Sequence, residues 1–381
     1  MDDNDTGDQL RKRNASRKPP ECMGRRRFVK SAAAAGVSFA SASQLSVSRF
    51  EAVNGDEVPI VYAYVRDDPN DPDSLTPQVK TVSTEWYNNL QAALSDYETL
   101  NLAAIKDVLT ASVVPGDEDD PATISVGVTN EETVSRITDL LEGTPIEGSA
   151  IESTNDDPHE ELDPVRQFDP DNGVSVPGGV ACGEAEGTAT LASAVYDPET
   201  DTQYFATADH LYADTENNEL MLVTNGQRIE IGEVEHHYRS EDLALSRPTK
   251  EFNPKHAVDG TLTRQVAGQF TRLGLADLKA RGTEIHKIGA MTGHTTGQIQ
   301  AIDGISCIYG DPCKRGQLKW GSESDFTDGD SGSVSYAPDP ENPDKQVLIC
   351  GLNNARTWWP GEDYIWGTGA YVLHEKYGFT F

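Results

Sequence analysis

The hydrophobic pattern of residues 55–150 alternates between strand-like and helix-like spacing. Four short apolar runs predict strands, at 58–65, 111–115, 122–128 and 146–151. A helix is predicted at 82–102 because its apolar residues recur every three or four positions: Trp86, Leu90, Ala93, Leu94 and Tyr97. A second helix is predicted at 129–141, capped by Thr129 or Asn130 and ended by Gly143. The pattern therefore predicts a small α+β unit over residues 52–151, with two helices and a four-stranded sheet.

The pattern changes beyond this unit. Residues 152–173 are rich in Asp, Pro and Glu, which is typical of a linker. From residue 174 to residue 381 the chain consists of short β runs separated by glycine-containing turns, with little helical periodicity. This texture predicts an all-β region, either one large domain or two small barrels.

The charge of the chain excludes several classes of function. Its 31 Lys and Arg residues face 63 Asp and Glu residues, for a net charge of −32 and a pI near 4.4. Nucleic acids and anionic membranes would be repelled by this field, so neither is an expected partner. Disorder is disfavoured because 36% of the residues are hydrophobic. Acid spread along the whole chain indicates a protein adapted to concentrated salt; the alternative is an ordinary acidic protein.

The first 48 residues differ from the rest, because they carry 9 basic and 5 acidic residues. Within them, Arg25, Arg26, Phe28 and Lys30 precede a weakly apolar run at 31–42. This pattern resembles a twin-arginine export signal. The apolar run is too short for a membrane anchor, and an Ala-x-Ala pattern near residue 42 suits cleavage. The sequence therefore predicts residues 1–48 as a signal peptide, an extracellular location and no stable membrane span after its removal.

The cysteines add one expectation. Outside the leader there are four, and Cys307 and Cys313 are spaced to close a small disulfide loop. The others are Cys182 and Cys350. The chain has neither a CxxC pair nor a His/Cys spacing typical of zinc, so no metal site and no cofactor are predicted.

The candidate chemistry lies in three short segments of the β region. A strand ends at His210, Asp242 opens an apolar strand, and Ser331 stands between glycines. A serine hydroxyl becomes a strong nucleophile when an imidazole removes its proton, and a buried carboxylate holds that imidazole in the required tautomer. The tight turn around Ser331 can also aim the backbone N–H groups of Gly329 and Ser331 at one point. Such a pair of donors would form an oxyanion hole.

These segments resemble the signature segments of trypsin-like serine peptidases of the chymotrypsin fold. The intervals, 32 residues from His210 to Asp242 and 89 from Asp242 to Ser331, suit the compact prokaryotic members. The segment 287–297 is similar to a strand of streptogrisin-like bacterial proteases. The resemblance covers about residues 175–375, and together with the acidity it indicates a haloarchaeal member.

The resemblance implies a double antiparallel barrel of six strands each, with the site in the cleft between the barrels. It implies His210 as general base, Asp242 as the orienting carboxylate and Ser331 as nucleophile. It further implies that Asp330 pairs with a buried cation behind the oxyanion loop. In bacterial relatives the chain itself supplies this cation, at the position where Lys287 stands. The alternative for Lys287 is a solvated lysine on a strand.

The sequence departs from the family pattern at two positions. Leu211 stands where streptogrisin-like enzymes have a cysteine beside the active histidine, so that disulfide is absent. Ser333 replaces the usual second glycine after the nucleophile.

Substrate preference has a weaker signal. Asp325 lies six residues before Ser331, where a carboxylate would favour Arg or Lys before the scissile bond. In so acidic a chain, the alternative is a surface acid. Specificity for glutamate is not expected, because glutamyl endopeptidases use a histidine and none lies between Ser331 and His374. Three residues are expected to line the cleft edge and pair with substrate as an added strand: Cys350, Gly351 and Leu352.

The sequence thus predicts a secreted serine endopeptidase acting on proteins or peptides through an acyl-enzyme. The alternatives are a catalytically silent relative that binds a partner, and an esterase using the same triad. The 52–151 unit is expected to be either a pro-region that contacts the peptidase domain or a permanent accessory domain.

Overall fold

The structure is a computed structural model. It describes residues 56–68, 71–117, 119–140, 143–151, 162–170, 174–213, 218–249, 251–259, 264–308, 312–359 and 362–381. The predicted signal peptide, and with it Cys22, lies outside the described residues, as does most of the predicted linker. No helix in the described part of the chain is both long and apolar enough to cross a membrane.

The described residues are mostly β-strand. The helices are α1 Thr84–Thr99, α2 Glu131–Thr138, α3 Arg272–Ala280 and α4 Ala370–Tyr377. The strands up to the middle of the chain are β1 Glu57–Arg66, β2 Leu75–Ser83, β3 Val108–Val114, β4 Thr123–Val128, β5 Ile146–Ala150, β6 Ser175–Gly178, β7 Ala181–Gly183, β8 Thr188–Thr190, β9 Val195–Asp197, β10 Thr202–Thr207 and β11 Glu219–Thr224. The remaining strands are β12 Gln227–Tyr238, β13 Leu243–Pro248, β14 Asn253–Val258, β15 Arg264–Phe270, β16 Glu284–Gly289, β17 Gly293–Ser306, β18 Lys314–Trp320, β19 Val334–Pro338, β20 Gln346–Trp359 and β21 Glu362–Gly369.

The two helices predicted before residue 151 are present. All five apolar residues predicted to face the core from α1 are buried. The Ser83 side chain caps α1 by accepting a hydrogen bond from the Trp86 N–H, and Asn130 caps α2 by accepting one from the Glu132 N–H. Both helices are shorter than predicted, since α1 spans Thr84–Thr99 and α2 spans Glu131–Thr138.

Six strands form a closed ring in the C-terminal part. Each pairs antiparallel with the next in the order β16, β17, β18, β21, β20, β19, and β19 pairs with β16 again. A seven-stranded sheet precedes it, in the order β8-β7-β11-β12-β13-β10-β9. β8 and β9 stand at the two ends of this order, so the pairing of the described strands does not close this sheet into a ring. The mostly β prediction is confirmed, and one of the two expected barrels is closed by its strand pairing.

The sheet predicted for residues 52–151 is wrong in one respect: its strands do not form a separate sheet. β1 pairs antiparallel with β15, and β3 pairs antiparallel with β17, so both extend the sheet that contains the six-stranded ring. β2, which pairs with β1, is missing from the prediction because most of its residues are only partly buried and apolar and polar residues do not alternate along it.

The hydrophobic core is shared in the same way. One cluster of buried side chains contains Trp86 and Leu90 of α1 together with Trp320 and Ile365 of the ring. α3, which the sequence pattern also missed, packs against β1 and β17. Gly274 lets it approach β1, since a Cβ there would overlap the carbonyl oxygen of Tyr62. The described residues before 151 therefore share one hydrophobic core with the six-stranded ring.

Candidate active site

Strand pairing brings His210 and Asp242 together. β10 and β13 are antiparallel neighbours, with Thr207 opposite Ala244, so the turn after β10 lies beside the residue before β13. His210 Nδ1 is 2.9 Å from Asp242 Oδ2, and the His210 backbone N–H donates to Oδ1 at 2.8 Å. The carboxylate therefore holds both the ring and the backbone of the histidine.

The two side chains of this pair differ in exposure, and each shifts the pKa of the other. The Asp242 side chain is 4% exposed, whereas that of His210 is 45% exposed and open to a ligand. Burial lowers the pKa of His210, but the hydrogen bond and the charge of Asp242 more than offset this, so the pKa is raised. Burial raises the pKa of Asp242. The hydrogen bond and charge of His210, together with the charge of nearby Lys314, more than offset this, so the pKa lies below its usual value. An ionised aspartate beside an imidazole is the arrangement that a general base needs.

Lys314 is a member of this cluster that sequence reasoning missed. Its Nζ lies 3.3 Å from Asp242 Oδ2 and donates to the carbonyl oxygen of Arg239 at 2.9 Å. The residue directly follows Cys313, which forms the expected disulfide with Cys307, while Cys182 and Cys350 are buried free thiols. The predicted Cys307–Cys313 disulfide was the signal in the sequence that could have pointed to Lys314, because it closes the loop that ends beside this lysine.

Replacing Lys314 with Met is expected to raise the pKa of His210 further, because the lysine charge lowers that pKa. NMR titration of the histidine ring measures the shift. The exposed Lys255, on β14, provides a matched control in Lys255→Met, for which no shift is expected. An unchanged or lowered pKa in Lys314→Met would show that the lysine charge does not reach the imidazole.

Close packing at Gly332 places Ser331 beside the histidine turn. Gly332 has φ +91°, and a Cβ there would overlap the Thr190 carbonyl oxygen and the Thr207 side chain at the end of β10. The Ser331 carbonyl oxygen accepts the Thr190 N–H at 2.8 Å. Ser331 Oγ is 3.5 Å from the Asn354 carbonyl oxygen, and within the described residues no hydrogen bond joins it to His210. Catalytic hydrogen bonds are often long until substrate binds.

The loop before Ser331 leaves two backbone N–H groups without an acceptor among the described residues. Gly329 has φ +91°, a conformation that favours glycine. Its carbonyl oxygen is held by the Thr190 hydroxyl at 2.8 Å. The backbone N–H groups of Gly329 and Ser331 donate to no group among the described residues. Both donors are therefore available for an incoming carbonyl oxygen.

The structure joins Lys287 and Asp330 behind this loop. Lys287 Nζ is 2.8 Å from Asp330 Oδ2, and both side chains are fully buried. Asp330 Oδ1 also accepts the N–H groups of Met291 at 2.9 Å and Thr292 at 3.2 Å. Burial lowers the pKa of Lys287, and the neighbouring Asp330 opposes that shift. The pair anchors the residue that precedes Ser331.

Asp325 lies in a short 3₁₀ turn, Glu323–Asp325, and its carboxylate faces that turn. Asp325 Oδ2 accepts the Ser322 N–H at 3.3 Å in a capping box. Its backbone carbonyl accepts the Thr295 hydroxyl at 3.1 Å. Burial raises the pKa of the Asp325 carboxyl, although the Ser322 N–H opposes the shift.

The strand-addition site expected at Cys350, Gly351 and Leu352 is wrong, because β20 is paired on both edges there. Cys350 and Leu352 are fully buried, and Gly351 and Leu352 pair with β19 on one edge and β21 on the other. These residues therefore have no free edge for a substrate strand. Beyond Asn353, β20 pairs only with β21 among the described strands. The edge beside Ser331 thus begins at Asn354.

Among the described residues, no group of three or more His, Cys, Asp or Glu side chains is placed to hold a metal ion. The groups brought together here are an imidazole, a carboxylate, a hydroxyl and two backbone donors.

Comparisons with known proteins found no matching family model and no matching curated relative. Among solved structures, the chain is similar to a glutamic acid-specific serine protease that uses a histidine triad in substrate binding, with 19% identity, a TM-score of 0.43 and coverage of 54% of this chain and 99% of that one. It is also similar to Thermobifida fusca protease A, with 18% identity, a TM-score of 0.40 and coverage of 54% and 97%. A third is the Cellulomonas bogoriensis chymotrypsin, with 18% identity, a TM-score of 0.39 and coverage of 54% and 97%.

Proposed function

We propose that this protein is a serine endopeptidase. The observation that carries the proposal is the half-exposed His210 held by the buried Asp242, with the Ser331 loop packed against the same turn. Ser331 Oγ attacks the substrate carbonyl carbon while His210 takes the hydroxyl proton. The Gly329 and Ser331 N–H groups hold the resulting oxyanion. The proton then passes to the leaving amine, and water releases the acyl group by the same route.

Covalent labelling tests this proposal. The wild-type protein in multimolar salt is expected to react with a fluorophosphonate probe and to cleave casein, whereas Ser331→Ala should do neither. Ser324→Ala, an exposed serine seven residues before the nucleophile, is the matched control and should behave as the wild type. Labelling without cleavage of casein or peptides would favour the esterase. An unlabelled, folded wild-type protein would favour the silent binding protein.

We also propose that the N-terminal unit stays attached to an exported, salt-adapted enzyme. Its β1 and β3 are strands of the peptidase sheet, and its buried residues share the ring's core. Releasing it would expose that core to water, at a cost that grows with the apolar area uncovered.

The mature protein is therefore expected in the medium of a halophilic host, beginning between the predicted cleavage site near residue 42 and β1. Intact mass and N-terminal sequencing measure this. A mature chain beginning after residue 151 would identify the unit as a pro-region, and a cell-bound precursor would contradict export. Replacing Arg25 and Arg26 with Lys provides the control for the export signal.

A further inference from the structure

A buried threonine contacts both residues whose backbone N–H groups have no acceptor among the described residues. Thr190 is the last residue of β8, and it is buried. Its hydroxyl donates to the carbonyl oxygen of Gly329 at 2.8 Å. Its backbone N–H donates to the carbonyl oxygen of Ser331, also at 2.8 Å. Each of the two residues that present an N–H group is therefore held by Thr190 through its carbonyl oxygen.

The direction of the Thr190 hydroxyl is set by a second hydrogen bond. The hydroxyl oxygen accepts the Ala290 N–H at 2.9 Å, so its single hydrogen is left to bond Gly329. Ala290 is fully buried, and its carbonyl oxygen accepts the N–H groups of Val165 at 2.8 Å and Arg166 at 3.0 Å. The donor to Gly329 is therefore supported by two further segments of the chain.

Gly329 depends on such backbone contacts more than its neighbour does. The Lys287 ion pair holds Asp330 through its side chain, whereas Gly329 has no side chain and has φ +91°. A glycine has wide conformational freedom, so only hydrogen bonds of its backbone can fix its orientation. An oxyanion donor acts at a distance of about 2.7–3.1 Å, and a displacement of about 1 Å can cost much of its effect. The hydroxyl of Thr190 supplies the missing constraint.

We propose that Thr190 is a positioning residue, whose hydroxyl fixes the direction in which the Gly329 N–H meets the oxyanion. The proposal rests on the peptidase function above. Within the described residues, no hydrogen bond joins Thr190 to His210 or Asp242. Thr190 therefore acts on the charge of the transition state through Gly329, and it leaves the proton transfer unchanged.

The experiment removes the hydroxyl and keeps the shape of the side chain. In Thr190→Val, kcat for a peptide amide substrate is expected to fall by about 10- to 100-fold, while KM changes by less than about threefold. The split arises because the oxyanion exists only after the serine attacks. Thr190→Ser restores the hydroxyl and should return kcat to within about threefold of the wild type. The midpoint of the kcat–pH profile should stay that of the wild type, because the base is untouched.

Thr271→Val is the matched control. The Thr271 hydroxyl accepts the Gly274 N–H at 3.0 Å and donates to the Val61 carbonyl oxygen at 2.7 Å, so it makes the same two kinds of hydrogen bond at the start of α3. Its loss should lower stability and leave kcat at the wild-type value. A fall in kcat that is equal in the two valine variants would therefore overturn the proposal.

The remaining outcomes separate this inference from the proposed function. A wild type that labels and cleaves, together with an unchanged kcat in Thr190→Val, overturns the positioning role and leaves the peptidase intact. A loss that Thr190→Ser does not restore, or that shifts the pH midpoint, shows a general loosening and also overturns it. If Thr190→Val does not fold, Thr190→Ala, which also lacks the hydroxyl, decides in the same assay. A wild type that neither labels nor cleaves contradicts the peptidase itself.

Discussion

Replacing Asp242 with Asn is expected to lower kcat by about 10⁴-fold while the protein remains folded. Asp242 has φ +54°, and asparagine tolerates this left-handed conformation better than most residues. The amide would still reach His210, but it would donate to Nδ1 where the carboxylate accepts. The imidazole would then carry its proton on the nitrogen that must receive the serine proton. Steady-state hydrolysis with active-site titration measures the loss.

The neighbouring Asp209 provides the matched control. It is 5% exposed and binds His237 Nδ1, so it is a buried aspartate paired with a histidine other than the proposed base. Asp209→Asn should change kcat by less than about tenfold. Equal losses in the two variants would mean that Asp242 has no special part in the chemistry. A wild-type rate for Asp242→Asn would remove it from the triad.

The second large effect is expected on stability. Lys287→Met should lower the free energy of unfolding by about 3–5 kcal/mol, because it leaves the Asp330 carboxylate buried without its cation. Both side chains are fully buried, so water cannot replace the lost partner. Because Asp330 also accepts hydrogen bonds from the N–H groups of Met291 and Thr292, the loop before Ser331 should loosen as well. Urea unfolding at constant high salt measures the change.

A double variant separates the loss of a partner from a loss of packing. Lys287→Met combined with Asp330→Asn removes both charges and is expected to recover part of the stability. The exposed Lys255→Met should change it by less than about 0.5 kcal/mol. A loss below about 1 kcal/mol in Lys287→Met would contradict the importance of the ion pair.

Local periodicity predicted the elements that carry their own signal. The buried face of α1 and the Asn130 cap of α2 follow from residue spacing and from side-chain chemistry within one helical turn. α3 and α4 were missed because they are short and lie in a region of strand texture. For such segments, tertiary packing rather than helical propensity supplies most of the stability.

The candidate site could be predicted from the sequence to a similar extent. His210, Asp242 and Ser331 could be chosen because a base, a carboxylate and a nucleophile stand in recognisable local contexts. Lys314 could not, because a lone lysine has the same local pattern whether it is solvated or lies against a buried carboxylate. Its place in the cluster depends on which segment folds against it, which is the residue before β13.

The sequence alone determined the charge of the protein, the residue types of its candidate chemistry and the elements whose spacing repeats within a few residues. The tertiary structure decided that β1 and β3 extend the sheet of the six-stranded ring and that β20 is paired on both edges up to Leu352. The physical reason is the range of the interactions. Caps and amphipathic faces are set by neighbours in the chain, whereas strand pairing and the burial of a charge join residues far apart in the sequence, such as Ala63 and Phe270 or Lys287 and Asp330.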